Sequence, residues 1–210
     1  MKSFTFIAIL IAGAGLSACS STTTGGTGGT GGPSVSTTTN IGGQATNVGG
    51  VYSATQAGAL TAITISKSSS NGQPLWMNTV VQTVIAGYES ANVLAIGGFN
   101  NNSPIKGVTG TLTTTPLTGT ATYTGRYSRT TSGSFLSGAL AIDVDFGALT
   151  FADTTAGVDV SGTISGAQFS GTFKKGWQIA PLVGGFFGTN EMVGAFGNGS
   201  IAGVIYGTTP

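Results

Sequence analysis

Between Leu117 and Gly207 polar and apolar residues alternate with a period of two, segment after segment, and this restricts the second half of the chain to strands. In Thr120-Ala-Thr-Tyr-Thr-Gly-Arg-Tyr-Ser-Arg129 one parity holds Ala121, Tyr123, Gly125 and Tyr127, and the other holds Thr120, Thr122, Thr124, Arg126 and Ser128. Leu140, Ile142, Val144 and Phe146 alternate with Asp143 and Asp145, and Val158, Val160 and Ile164 with Asp159, Ser161 and Thr163. Ala167, Phe169, Gly171 and Phe173 alternate with Gln168, Ser170, Thr172 and Lys174. Shorter candidates at 149–153, 183–188, 191–197 and 201–207 bring the total to eight strands joined by short turns. Eight antiparallel strands in roughly ninety residues close into a small up-and-down barrel, which removes exposed edges and fills its interior with side chains. The first half is less regular, with strands predicted at 51–55, 60–67, 79–88 and 91–99 between the loops SSSNGQP and NNNSP. The fold class is therefore all-β: an eight-stranded antiparallel up-and-down barrel at 117–210, with a β-rich, handle-like subdomain at 47–116 packed against it.

Composition supports this reading and narrows the chemistry. The 37 glycines suit a tightly curved barrel, where strands coil and neighbouring backbones crowd. The chain has no histidine, which removes Ser-His-Asp and Cys-His catalysis and histidine-ligated metal sites together. Of seven basic residues Lys2 lies in the leader, so six remain against six acidic ones, too few and too scattered for a nucleic-acid partner. A membrane-embedded barrel would need an apolar, aromatic-girdled outer face, whereas the polar parity here holds Thr, Asp, Gln and Lys.

The first residues address the chain. MKSFTFIAILIAGAG has one cation followed by an apolar run too short for a permanent membrane helix, which is the pattern of a secretory signal, assigned to residues 1–18. Leu16-Ser17-Ala18-Cys19 matches the bacterial lipobox, so Cys19 is predicted to carry a diacylglyceryl group and an added acyl chain such as palmitate. This Cys is the only one in the sequence, so no thiol remains for a disulfide. From Ser20 to Thr46 the chain is almost entirely Ser, Thr, Gly and Asn, a composition expected to stay unordered as a tether with a mean reach of roughly 30 Å. Cys19 and this linker are assigned to residues 19–46. Ser rather than Asp after the cysteine favours the outer over the inner membrane.

GTATYTGRYS, IDVDFG, GVDVSGTISGAQFSGTF and GGFFGTNEMVGAFGNGSIAGVIYG together resemble the barrel domain of the transferrin-binding protein B family of surface lipoproteins. The shared features are a Gly-Thr-Ala-Thr-Tyr-x-Gly opening, a Val-Asp-Phe strand, a Phe-x-Gly-x-Phe strand and a late Phe-Tyr-Gly hairpin, over residues 117–207. The late motif departs from the family pattern: Phe186-Phe187-Gly188 and Glu191 remain, but no proline follows Gly188. The resemblance implies a barrel on a lipid tether, often displayed on a Gram-negative cell surface, with relatives that bind transferrin, haem proteins or complement factor H. None of the family's binding residues can be matched here, and the length suits one reduced lobe.

Few side chains stand out as candidate sites. Lys174-Lys175-Gly176-Trp177 places two cations and an indole at a hairpin tip, and these three side chains are the candidate ligand-binding residues; a solubilising turn with the Trp folded onto the barrel is the simpler alternative. Asp143 and Asp145 share a strand face, as a cation site or acid–base pair requires, although a solvated outer face explains them equally. Tyr123 and Tyr127 could ligate haem iron, but their parity assigns them to the core. Trp76, in GQPLWMN, is open to either reading. No catalytic residue, metal site or cofactor is predicted, since carboxylates such as Asp143, Asp145 or Glu191 on a filled barrel do not converge in a cleft. The expected function is that of an outer-membrane-anchored, surface-facing lipoprotein binding a macromolecule or solute through its loops, the alternative being a structural envelope lipoprotein with no soluble ligand.

Overall fold

Alternating residues become strands only when neighbouring segments pair, and the pairing here is antiparallel throughout. The structure, a computed structural model, describes residues 38–63, 68–69, 75–80, 82–131, 133–153, 155 and 157–210, and among them the regular secondary structure is all strand. Eight strands make the barrel: β10 (Thr120–Thr130), β11 (Phe135–Asp145), β12 (Thr150–Asp153), β13 (Asp159–Ser165), β14 (Gln168–Lys175), β15 (Gln178–Phe187), β16 (Glu191–Gly197) and β17 (Ala202–Thr208). Closure falls on β10, where Tyr127 lies opposite Gly138 of β11 on one side and Ile205 of β17 on the other. The alternation turns one parity inward, so Tyr123, Tyr127, Leu140, Ile142, Val144, Phe151, Phe169 and Phe173 fill the interior. Phe173 stacks on Phe196 with ring centroids 3.9 Å apart, and Phe186 packs against Tyr123, Phe146 and Phe169. The two tyrosines thus serve as core residues, as their parity predicts.

The handle is a nine-stranded sheet of β1 (Thr38–Ile41), β2 (Ala45–Val48), β3 (Val51–Gln56), β4 (Ala59–Ile63), β5 (Ser68–Ser69), β6 (Leu75–Val80), β7 (Thr83–Glu89), β8 (Val93–Asn100) and β9 (Ser103–Thr111). Its main path runs β2-β3-β9-β8-β7-β6-β5, with β1 paired to β9 and β4 to β3. One face buries Tyr52, Ala54, Ile63, Ile85, Ile96 and Ile105 among its own strands. The other face lies on the barrel: Ile41, Ala86, Tyr88, Val93, Ala95 and Val108 pack against Phe187, Val193, Ala195, Val204 and Tyr206. Gly97 lets the two bodies meet, because a Cβ there would strike the backbone carbonyl of Gly203.

Two sequence expectations are corrected. The sheet begins at Thr38, inside the stretch that composition assigns to the linker ending at residue 46, and β2 also starts before the predicted handle boundary at 47. The reason is tertiary: β9 pairs with β1 from Thr38↔Thr111 to Ile41↔Val108, and the Thr109 hydroxyl donates to Asn40 Oδ1 at 2.7 Å, so a polar segment without pattern is recruited as a strand. The loop NNNSP is the second: its Ser103 and Pro104 open β9, which continues through residues given no predicted element and carries the centre of the handle. Residues 1–37 lie outside the described residues, including Cys19 and most of the predicted linker.

Candidate functional site

The strand directions sort the barrel's connections onto two rims. β10, β12, β14 and β16 run toward one rim, which carries the connections from β10 to β11, β12 to β13, β14 to β15 and β16 to β17; the other rim carries residues 117–119, 146–149, 166–167 and 188–190. We call these the upper and lower rims. The chain enters the body at the lower one. Thr38 lies opposite Thr111, and the next residue, Leu112, bridges to Phe187 at the lower end of β15.

The predicted Lys174-Lys175-Gly176-Trp177 stretch forms the β14–β15 hairpin of the upper rim, with Lys175 paired to Gln178 and only Gly176 and Trp177 between them. Gly176 has φ +60°, the left-handed value required at the first central position of a tight two-residue turn, so glycine is the residue that suits this place. Trp177 follows it and is 85 % exposed, standing away from the barrel rather than folding onto it. Ile179, two residues further and 52 % exposed, extends the apolar surface, and Leu136 stands exposed at the start of β11.

Polar contacts fix the surroundings of this tip. The Lys175 ammonium donates to the Gly157 carbonyl at 3.1 Å and lies 5.4 Å from the centroid of the Tyr127 ring, closing over the barrel interior. Lys174 points outward, 3.9 Å from Asp159, with both side chains about half exposed, a pairing worth little to stability in open solvent. Arg129 donates to Gln178 Oε1 across the rim, and Asn198 Nδ2 donates to the Ile179 carbonyl at 2.6 Å. The hairpin is thereby braced from β10 and from the β16–β17 turn. Arg126 reaches toward Ser137 Oγ at 3.4 Å on the outer wall below the rim.

The two aspartates of β11 are placed as the strand pattern predicts, on the exposed outer face, and each already has a partner. Asp143 accepts the Thr122 hydroxyl at 2.7 Å, and Asp145 Oδ1 accepts the backbone N–H groups of Gly147 and Ala148 at 2.8 and 2.9 Å, capping the turn after β11. They line an open groove of about 600 Å³ together with Thr120, Thr122 and Thr150, and among the described residues no three acidic or cysteine side chains converge on one point. Trp76 lies in β6 opposite Gly87.

Glu191 has a part that sequence reasoning did not find. It is buried where the handle meets the barrel, and it accepts the Tyr88 hydroxyl at 2.7 Å, Asn92 Nδ2 at 2.8 Å and the Ser90 hydroxyl at 3.1 Å. Burial, followed by the hydrogen bond to Glu191, pushes the Tyr88 phenol well above the usual tyrosine range. Tyr88 also stacks on Tyr206 with centroids 4.7 Å apart. This cluster holds the handle in place. The sequence carried a signal for it: β16 and β17 are buried on both parities, unlike the alternating β10 to β14, and a strand without a polar face is covered on both sides.

No protein-family model and no curated protein matches this sequence. Among solved structures, the chain is similar to HpuA from Kingella denitrificans in complex with human haemoglobin, with a TM-score of 0.50 and 12 % identity over 84 % of this chain and 85 % of that one. It is also similar to the isotype 1 transferrin-binding protein B of serogroup B Neisseria meningitidis, with a TM-score of 0.46 and 19 % identity over 64 % of this chain. This chain spans 35 % of the length of that protein. At the level of fold the chain, a handle sheet seated on an eight-stranded barrel, is similar to HpuA.

Proposed function

We propose that this protein is lipid-anchored in the bacterial outer membrane, faces the cell surface, and binds a host protein through the upper rim of its barrel. The observation that carries the reading is Trp177, 85 % exposed on a two-residue turn braced from both sides, at the opposite end of the barrel from the entry of the chain. An indole held out on a rigid support loses little conformational freedom on binding and is a frequent anchor of protein interfaces. Lys174 and Lys175 flank it and belong to the same contact surface. The lipobox supports the anchoring: residues 1–18 are the signal peptide, Cys19 carries the lipid, and the Ser/Thr/Gly segment after it is the tether. The handle and barrel then form the displayed body. The fold shared with HpuA, a protein solved in complex with human haemoglobin, is consistent with a host protein as ligand. The role is binding rather than catalysis.

Two measurements test this. Protease applied to intact cells should remove the body; its persistence would place it inside the envelope. The full chain, purified in detergent, should retain human haemoglobin or another serum protein saturably, and Trp177→Ala should weaken that by about 30-fold, the loss of a 2 kcal/mol anchor. Equal retention by the variant would remove the hairpin from the site, and no retained protein would leave the envelope-structural role.

A further inference from the structure

The charged side chains of the barrel are divided between its ends. Arg129, Lys174 and Lys175 lie on the upper rim with Asp153 and Asp159, so three cations less two anions give that end a net charge of +1, and Arg126 stands midway down the wall opposite Ala139 and Tyr206. The lower half carries Asp143, Asp145 and Glu191 and no described cation of the barrel, a net of −3. Both upper anions are engaged: Asp153 Oδ1 accepts the Thr155 N–H at 2.7 Å, and Asp159 faces Lys174. Lys106 of the handle adds to the same end. It pairs with Gly97, which meets Gly203, and Gly203 is the partner of Arg129 in β17. At the centre of this positive field stand the uncharged, exposed Trp177 and Ile179.

We infer that the partner of the upper rim is a protein with an acidic surface, whose carboxylates surround an apolar recess that receives the Trp177 indole. The inference rests on the binding role proposed above and adds the chemistry of the ligand. Lys174 is placed to meet a carboxylate directly, because it is exposed and its Asp159 partner is a solvent-screened one. Arg129 and Lys175, held over the barrel mouth by Gln178 and Gly157, contribute through the field they create. A positive rim around an apolar tip raises the encounter rate with an acidic surface and repels a basic one, whereas the buried indole sets the lifetime of the complex. An anionic lipid surface, the other occupant that cations around an indole could meet, is separated by the vesicle arm of the test below.

The test selects ligands without presuming their identity. The full chain in detergent is used to select from a phage-displayed library of random peptides about twelve residues long, at roughly 0.05 M salt and again at physiological ionic strength. Recovered peptides should be rich in Asp and Glu and contain an aromatic or aliphatic residue. Their affinity should fall at least ten-fold with Lys174→Glu/Lys175→Glu, fall similarly with Trp177→Ala, and decrease with added salt. Recovery of neutral or basic peptides overturns the inference, as does failure to recover any peptide. So does indifference to the charge reversal when Trp177→Ala abolishes binding, a result that leaves the binding role standing and removes only its acidic partner. Tighter retention of phosphatidylcholine vesicles containing phosphatidylglycerol than of any recovered peptide would assign the rim to anionic lipid and overturn it as well. Retention of serum protein is read separately, so loss of the binding role itself is distinguishable from loss of its charge preference.

Discussion

In the barrel every strand has a neighbour on both sides, β10 closing on β17, and the interior is filled by its own aromatic and branched side chains. The handle is an open sheet that ends at the two-residue β5, and one of its two faces is buried only because β16 and β17 lie beneath it. The barrel therefore holds its core within itself, while the handle borrows part of its core from the barrel. Stability should follow the same hierarchy, with damage to the barrel interior reaching both parts and damage at the junction reaching the handle first.

The largest effect is expected inside the barrel. Phe196→Ala removes the partner stacked on Phe173 and should cost about 3–5 kcal/mol, with barrel and handle lost in a single thermal transition. If the handle melted separately and later, the hierarchy would be reversed. Gly97→Val drives a branched side chain into the backbone at Gly203 and should cost about 2–3 kcal/mol, displacing the handle while the barrel persists. Limited proteolysis would show cleavage within residues 38–111 and a surviving fragment of 117–210.

Glu191→Ala leaves the Tyr88 hydroxyl and the Asn92 amide without their acceptor at the junction and should cost about 2 kcal/mol, again in the handle. The same cluster sets a pH dependence. Because the folded phenol of Tyr88 titrates above its unfolded value of about 10, its contribution is fully present below that pH and fades as pH rises toward the folded pKa. Alkaline denaturation followed by handle proteolysis should start above pH ~10, and Tyr88→Phe should shift that onset; an onset unmoved by the substitution would assign the alkaline step elsewhere. The smallest change belongs to the rim: Trp177→Ala should alter the melting free energy by no more than about 0.5 kcal/mol, since the indole is exposed, so a larger loss of stability would show the indole packed on the barrel.

The barrel was the legible part of the sequence because alternation is a local signal. All eight predicted strands are present, and the parity of Tyr123 and Tyr127 assigned them to the core correctly. The pattern places the start of β15 at residue 183, five residues late, since Pro181 interrupts it; the exposed side chain and missing N–H of Pro181 are tolerated opposite Thr172. The handle was less legible because its order depends on pairing between distant segments. β9 takes β1 along one stretch and β3 along another, Thr55 lying opposite Lys106, and nothing in TTNI or SPIKGVTGT announces either partner. The candidate hairpin was visible as composition, two cations and an indole beside a glycine. Its exposure and its bracing by Arg129 and Asn198 required the closed barrel, which brings residues far apart in sequence onto one rim.

The placement of Trp177 and Thr38 at opposite rims has a mechanical consequence. A load applied between the Trp177 turn and Thr38 runs roughly along the barrel strands, tilted as barrel strands are. Hydrogen bonds of an antiparallel ladder lie across the strands, so such a load shears the pairings on either side of the hairpin together, β14 with β13 from Asp159↔Lys174 to Ser165↔Gln168 and β15 with β16 from Leu182↔Phe196 to Phe187↔Glu191, instead of peeling them one at a time. The barrel thus resists being pulled open along the line that joins its upper rim to Thr38.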